Sequence, residues 1–313
     1  MENQYDVVIV GGGPAGIVAA IYAARKQLNT VIITPDLGGQ MAITNHIENY
    51  PGFENISGPE LVNKFRLQVE KLGGKFIFDQ VVGIEPVDSI FKVKTSGREF
   101  MTRTVVLAFG LTPRGLDVPG EEKFKGRGIA FCATCDAPLY KGKTVAVVGG
   151  GNSAMEAITE LSKIATKVYA THRGDKFSTA DPVEVEKISG YANVEVMLNS
   201  EITGFIGDKK LEKILVHNNK NEKPDFELAV DGVFLEIGYV TKTDWLKGFV
   251  DIDEKGHVLI NEKAETSRPG VYAAGDVTNT TYKQIVISGG EGAKAALSAY
   301  KYLNNSKTVT PDW

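Results

Sequence analysis

The sequence predicts an α/β protein of two Rossmann-like dinucleotide-binding domains, the second inserted into the first. Three observations carry that expectation. A strand–glycine turn–helix–strand pattern occurs twice, with its first glycines, Gly11 and Gly149, 138 positions apart. A third apolar strand near the end closes on Gly275-Asp276. Glycine is over-represented, at 34 of 313 residues, or about 11% against an average near 7%. A chain of 313 residues suits two domains of roughly 100–200 residues each. Its 42% apolar and 24% charged residues are those of a globular protein and exclude a disordered or fibrous one. Lys plus Arg total 35 against 39 for Asp plus Glu, a net −4 with no basic block. Nucleic acid and membrane surfaces are thereby excluded as expected partners.

The elements follow in order. Tyr5 to Val10 is a β-branched run that meets Gly11-x-Gly13-x-x-Gly16, with Pro14 and Ala15 inside the turn. An Ala/Ile-rich helix to Lys26 and a strand from Thr30 to Ile33 come next. Val7 to Ala24 carries no charge, and its length alone would suit a membrane span. It holds four glycines and a proline, however, and Glu2 and Asp6 precede it where a secretory signal places Lys or Arg. A soluble βα unit in the cytosol is expected. Later, Lys143 to Val148 meets Gly149-x-Gly151-x-x-Ala154. Asn152 and Ser153 open an amphipathic helix to about Lys163, and a strand spans Lys167 to Ala170. Such glycines let backbone N–H groups approach a pyrophosphate at a helix N-terminus. One such turn is a weak signal; two in register with strands and helices are specific.

Near the end, Pro269 to Ala274 reads as a strand leading to Gly275-Asp276. Asp276 is either a cap for the next turn or a ligand for a polyol hydroxyl. A terminal helix is expected from about Gly289 to Leu303, opening at Ser288-Gly289-Gly290-Glu291-Gly292. Its dipole would face an electron-rich ring edge. The outer domain is therefore expected at 1–113 and 245–313 and the inner at 114–244, with hinges at Leu111-Thr112-Pro113 and Tyr239 to Thr243. Asn218 to Asp225 reads as a solvated hairpin tip.

Cys132 and Cys135 are the only cysteines and form one C-x-x-C. A secreted disulfide scaffold needs many more. A structural zinc needs four ligands, and His46, His172, His217 and His257 are scattered singly, so no metal is expected. Two inert buried thiols or a redox dithiol remain, and a reducing compartment favours the dithiol.

Cys132-Ala133-Thr134-Cys135-Asp136 lies 14 residues before Gly149, inside the inner domain. In glutathione-reductase-like enzymes the pair follows the first glycine motif, but here Thr34 to Gly58 holds no cysteine. From Val7 to about Leu303 the chain instead resembles the low-molecular-weight bacterial and archaeal thioredoxin reductases. Seven motifs in order carry the resemblance: Gly11–Gly16, Gly38-Gly39-Gln40, Glu48-Asn49-Tyr50-Pro51-Gly52, Cys132–Asp136, Gly149–Ala154, Ala273-Ala274-Gly275-Asp276 and Gln284-Ile285.

The resemblance implies a FAD-containing homodimer that passes electrons from NADPH or NADH to thioredoxin, a small protein disulfide. FAD would lie on Gly11, Gly13, Pro14, Ala15 and Gly16, with Gly39, Gln40 and Asn49 beside the isoalloxazine or ribityl chain. Gly275 and Asp276 would meet the ribityl hydroxyls, and the Gln284–Ile285 backbone the flavin pyrimidine edge. Gly149, Gly151, Asn152, Ser153, Ala154, His172 and Arg173 would hold the nicotinamide dinucleotide. Cys135 would face the flavin, and Cys132 would attack the partner disulfide to give a mixed disulfide that Cys135 resolves. Asp136 would shuttle the proton, its alternative being a turn cap. A rotation of the inner domain about the hinges would alternate the two half-reactions.

Several positions depart from the family. Thr34 stands where a ribose-binding acid is usual, with Asp36 just beyond. NADPH-dependent members carry His-Arg-Arg-x-x-x-Arg, and this chain reads His172-Arg173-Gly174-Asp175-Lys176-Phe177-Ser178. Two arginines for the 2′-phosphate are gone, which leaves NADPH, NADH and a ferredoxin open as donors. Phe109 replaces the threonine of Ala-Thr-Gly and suggests only added apolar packing. Two other classes compete: a flavin dithiol oxidase that runs the relay in reverse, and a flavin electron-transfer or sensor module. The intact dithiol weighs against the sensor.

Overall fold

The protein is described by a computed structural model over residues 4–44, 47–220 and 224–304. Its contacts divide it into two compact units: Met1–Ile43, Tyr50–Thr112 and Thr241–Trp313 form the first, and Thr44–Asn49 with Pro113–Val240 the second.

The first unit is built on a seven-stranded mixed sheet. Gln4–Val10 lies at its middle, parallel to Thr30–Thr34 on one side and to Glu99–Leu107 on the other. Lys75–Phe78 extends the parallel edge. The sheet then changes character along one strand. The first half of Glu99–Leu107 pairs antiparallel with Ile90–Thr95, and its second half pairs parallel with Val271–Ala273. Central strands are buried on both faces and accordingly read as unbroken β-branched runs. Val7, Val8 and Ile9 are fully buried. Phe109 packs against this core, its ring 5.5 Å from that of Trp245. The apolar packing expected of it is therefore present.

The uncharged run from Val7 to Ala24 divides into strand Gln4–Val10 and helix Pro14–Arg25. Among the described residues, no helix is long and apolar enough to cross a membrane.

The second unit carries a five-stranded parallel sheet in the order Val194–Met197, Lys167–Thr171, Thr144–Val148, Gly232–Leu235, Ile129–Ala130. Helix Asn152–Ser162 buries Ala154, Met155, Ala157, Ile158 and Leu161 on it. A three-stranded antiparallel sheet, Ser200–Ile206, Lys213–Asn218 and Phe226–Ala229, covers the other core of this unit. The expected hairpin tip falls between its last two strands, and residues 221–223 of it lie outside the described residues. Thr112–Pro113 and Tyr239–Val240 form a two-stranded ribbon where the chain crosses between units.

One element begins earlier than expected. The terminal helix runs over Ile285–Leu303 with Gln284 as its N-cap, so Ser288 to Gly292 lies inside it. The expected helix start at Gly289 is corrected. Glycine weakens an isolated helix by about 1 kcal/mol per residue, which hides the first turn. Tertiary contact needs the glycine: a Cβ on Gly292 would stand 2.0 Å from the Ala15 carbonyl oxygen of helix Pro14–Arg25.

Gly292→Ala should therefore destabilise the protein by about 1–3 kcal/mol through overpacking. Gly290→Ala, where a Cβ meets nothing within 4 Å, should stabilise it by about 0.5–1 kcal/mol. Urea midpoints of the two variants measure both, and equal midpoints would contradict the helix contact.

Candidate functional site

The first glycine turn is closed below and open above. Gly11 has φ +110°, and a Cβ there would lie 2.4 Å from the Ala108 carbonyl oxygen. A Cβ on Gly16 would lie 1.9 Å from the Gly11 carbonyl oxygen. At Gly13 the opposite holds, since nothing stands within 4 Å of an added Cβ. Helix Pro14–Arg25 starts there with Gly13 as N-cap, no side-chain cap, and Pro14 in its first turn. Its Ala15 and Gly16 amides lie at the positive end of a helix, an anion-binding arrangement. Gly39 borders this space, its Cβ direction meeting the Gly13 Cα at 3.7 Å. Gln40 is tied down by a 3.1 Å hydrogen bond from its Nε2 to the Leu111 carbonyl.

Thr34 does not present its hydroxyl outward. It is buried, accepts the Gly12 amide at 3.0 Å and donates to the Asp36 carbonyl at 2.5 Å. It therefore shapes the turn, while Asp36, which is exposed, carries the outward-facing carboxylate.

The Gly275-Asp276 motif adjoins the same turn, with a Cβ on Gly275 lying 2.8 Å from that of Ala15. Ser288 donates to Asp276 at 3.1 Å. Burial pushes the Asp276 carboxyl above its usual range, and the Ser288 bond partly opposes it. Lys283 donates to the Asp276 and Thr278 carbonyls at 3.0 and 2.7 Å, and burial holds its ammonium below its usual range. Gln284, in extended conformation, and Ile285 form the helix entry just beyond.

Sequence reasoning missed Glu291, which organises this corner. Its buried carboxylate accepts the Gly275 amide at 2.7 Å, and the Thr280 hydroxyl donates to its other oxygen. The run Gly290-Glu291-Gly292 carries no local signal of this role, because the partners Gly275 and Thr280 lie outside it.

In the second unit, Gly149 approaches the Glu236 carbonyl, 2.4 Å from an added Cβ, and Gly150 lies under the His172 ring, 2.3 Å by the same measure. Helix Asn152–Ser162 again starts at a glycine, Gly151, with no side-chain cap. Ser153 is exposed in its first turn, and Ala154 is buried against Gly149. Asn152 accepts the Asp181 amide at 2.7 Å, and Thr179 donates to the Gly150 carbonyl at 2.9 Å. The segment after Arg173 thus returns to the turn. His172 stacks on Phe177 with centroids 5.3 Å apart, and burial lowers its pKa. Arg173, Lys176 and Ser178 are exposed.

Cys132 and Cys135 form a disulfide with Cα atoms 5.3 Å apart. Cys132 caps the short helix Ala133–Asp136, and its carbonyl accepts the Cys135 and Asp136 amides at 3.3 and 3.1 Å. Both cysteines are half-buried. Asp136 accepts the Thr44 hydroxyl at 3.0 Å within the same unit. Asn49, exposed, falls in that Thr44–Asn49 segment as well.

Replacing Glu291 with Ala should destabilise the chain by about 1–3 kcal/mol, because the Gly275 amide and Thr280 hydroxyl lose a buried acceptor. Glu291→Gln, which keeps acceptor capacity, should lose clearly less. Chemical denaturation of both variants tests the difference.

Residues 5–292 match the family model described as pyridine nucleotide-disulphide oxidoreductase. The chain is 39% identical over 311 residues to an alkyl hydroperoxide reductase component of Pseudomonas putida, covering 96% of this chain and 59% of that protein. It therefore spans about three-fifths of the length of that relative. It is 36% identical to a thioredoxin reductase of Peptoclostridium acidaminophilum, covering 97% of this chain and 98% of the relative. The solved thioredoxin reductase of Streptococcus pyogenes superposes with a TM-score of 0.91 at 35% identity, covering 97% of this chain and 100% of the other.

Proposed function

The chain belongs to the pyridine nucleotide-disulphide oxidoreductase family, which depends on FAD and NAD(P)H, and from that premise we propose that it reduces thioredoxin or a similar small protein disulfide. The Cys132–Cys135 disulfide, in the unit that also carries the second glycine turn, is the observation that carries the proposal. Two features support a fit for FAD in the first unit. The open space over Gly13 and the uncapped helix start suit a pyrophosphate, and Asp276 with Ser288 suits a polyol. Gly11, Gly13, Pro14, Ala15 and Gly16 would hold the pyrophosphate, and Gly39 and Gln40 would lie by the ribityl chain or ring. Gly275, Asp276, Gln284 and Ile285 would complete the site. Bound there, FAD supplies the hydride- and electron-carrying chemistry.

The protein's own residues do the rest. With the pair reduced, Cys132 attacks the partner's disulfide as a thiolate and displaces one partner thiolate. Cys135 then attacks the mixed disulfide, releases the second partner thiolate and restores the Cys132–Cys135 bond. Two electrons and two protons pass to the partner in all. Asp136, oriented by the Thr44 hydroxyl, takes and returns a proton at the cysteines.

Donor choice falls to the His172–Ser178 segment, beside Gly149, Gly151, Asn152, Ser153 and Ala154. With His172 lowered by burial, Arg173 and Lys176 are the cations left for a 2′-phosphate, so no strong NADPH preference is expected. Gly174 cannot simply be restored to arginine, because its Cβ would lie 2.8 Å from His172 Nε2. A ferredoxin donor follows if both nucleotides bind weakly. A second reading is favoured by the similarity to the alkyl hydroperoxide reductase component: the chain would be the electron-supplying part of hydroperoxide reduction, with a peroxidase disulfide as acceptor. A homodimer is part of the proposal.

The purified protein should be yellow with one FAD per chain; a folded, colourless protein that takes up no FAD would end this proposal. Cys132→Ser should abolish thioredoxin reduction while leaving flavin bleaching by the donor nearly intact. Cys135→Ser should stop turnover and let Cys132 be trapped with a partner cysteine. Ser178→Arg should raise kcat/KM for NADPH by at least about tenfold, or 1.4 kcal/mol. A wild type that already prefers NADPH a hundredfold would show that other residues read the phosphate.

A further inference from the structure

Phe131 is the residue before Cys132, and its backbone is held by a side chain that the dithiol relay does not use. It follows Ile129–Ala130, the last strand of the five-stranded sheet of the second unit. An edge strand leaves carbonyl groups without a ladder partner. The Ile129 carbonyl accepts the Gly126 amide at 3.0 Å, and the Phe131 carbonyl accepts the Tyr239 hydroxyl at 3.0 Å. Tyr239 comes from the neighbouring chain, just beyond strand Gly232–Leu235, which pairs with Ile129–Ala130. Gly238 turns that chain with φ +89°, where an added Cβ would meet nothing within 4 Å. The left-handed backbone alone therefore calls for glycine there. Its carbonyl accepts the Arg114 amide at 2.9 Å. The Tyr239 phenol thus carries the link between two paired strands past the end of their ladder, to the peptide bond that leads into Cys132. Beyond that peptide, the Cys132 carbonyl accepts the Cys135 and Asp136 amides. The Phe131 ring is packed against the core of the unit. The tyrosine ring is exposed, so what the disulfide turn receives from Tyr239 is its hydroxyl.

We propose that Tyr239 is a positioning residue of the dithiol centre: its hydroxyl, bonded to the Phe131 carbonyl, holds the peptide entering Cys132 where the two sulfurs can join. The inference rests on the reading that the Cys132–Cys135 pair is redox-active. Exchange with a small dithiol breaks the protein S–S bond and forms one in the reagent. Two electrons and two protons pass to the cysteines, and the reverse reaction returns them. Once reduced, the two thiols stay together only as far as the backbone on either side of them is held. Cys135 is tied to the Cys132 carbonyl through its own amide. Cys132 is tied from its N-terminal side by Tyr239. Without the phenol, the reduced turn gains conformations that the disulfide excludes, and the disulfide becomes easier to reduce. One neutral hydrogen bond shifts such an equilibrium by about fivefold.

The test equilibrates the full chain anaerobically with reduced and oxidised dithiothreitol in varied ratio. The mixture is quenched with acid and alkylated, and the Cys132–Cys135 disulfide is counted by mass spectrometry. Tyr239→Phe keeps the ring and removes the hydroxyl. Its disulfide should be less favoured than that of the wild type by about fivefold, a midpoint about 20 mV less negative. Tyr239→Leu removes the same hydroxyl with a different side chain and should give the same shift, so it decides the matter if Tyr239→Phe folds poorly. Val240→Ala alters the exposed neighbour on the same short strand and should leave the midpoint unchanged. A Tyr239→Phe midpoint equal to that of the wild type, or a Val240→Ala shift just as large, would overturn the proposal and leave Tyr239 a general prop for its strand. Dithiothreitol needs neither donor nor partner. A chain that fails to reduce thioredoxin yet shows the Tyr239 shift would count against the proposed function and support this role. A chain that reduces thioredoxin without the shift would do the reverse.

Discussion

Close approach of backbone to backbone at glycine is the constraint on which the rest depends. At Gly11, Gly16 and Gly149 an added Cβ would collide with a carbonyl oxygen at 2.4 Å or less. Those contacts seat each helix directly over the end of its strand. The helix starts consequently stay uncapped by side chains, with their amides directed outward. In the first unit the same demand recurs one layer away, where Gly292 lets the terminal helix lie on the Ala15 carbonyl. Replacing any of these glycines changes the distance between whole elements, which is why small residues here carry so much of the architecture.

Close-packed backbone leaves amides that regular structure does not pair, and this chain pairs three of them with buried carboxylates. Glu291 takes the Gly275 amide. Glu121 takes the amides of Leu116 and Asp117, each at 2.8 Å. Charge-assisted bonds of this kind are stronger than neutral ones and fix a turn from below.

Much of this is legible in the sequence because its signal is local. Gly11 to Gly16 and Gly149 to Ala154 announce themselves by spacing, and Cys132 with Cys135 by composition and position. The role of Glu291 is not legible, because nothing in the run Gly290-Glu291-Gly292 states which amide will lie opposite. That partner is supplied by an element far away in sequence. Thr34 shows the same limit: its position after a strand suggests contact with a ribose, yet its hydroxyl turns inward to Gly12 and Asp36. The terminal helix reads short in the sequence for a related reason, since its glycines weigh against helix locally while packing requires Gly292.

The divided pairing of Glu99–Leu107 has a consequence for how the chain is made. Its later half finds a neighbour in Val271–Ala273, a segment translated only after the whole stretch Pro113–Val240 of the second unit. During synthesis the inserted unit is complete while the sheet around it still has an open apolar border at Val105, Val106 and Leu107. An unpaired strand edge of that kind invites pairing with other chains. The nascent protein is thus most exposed to misassembly in the interval between translating residues 240 and 271, and a chaperone that shields one strand for that interval would suffice to protect it.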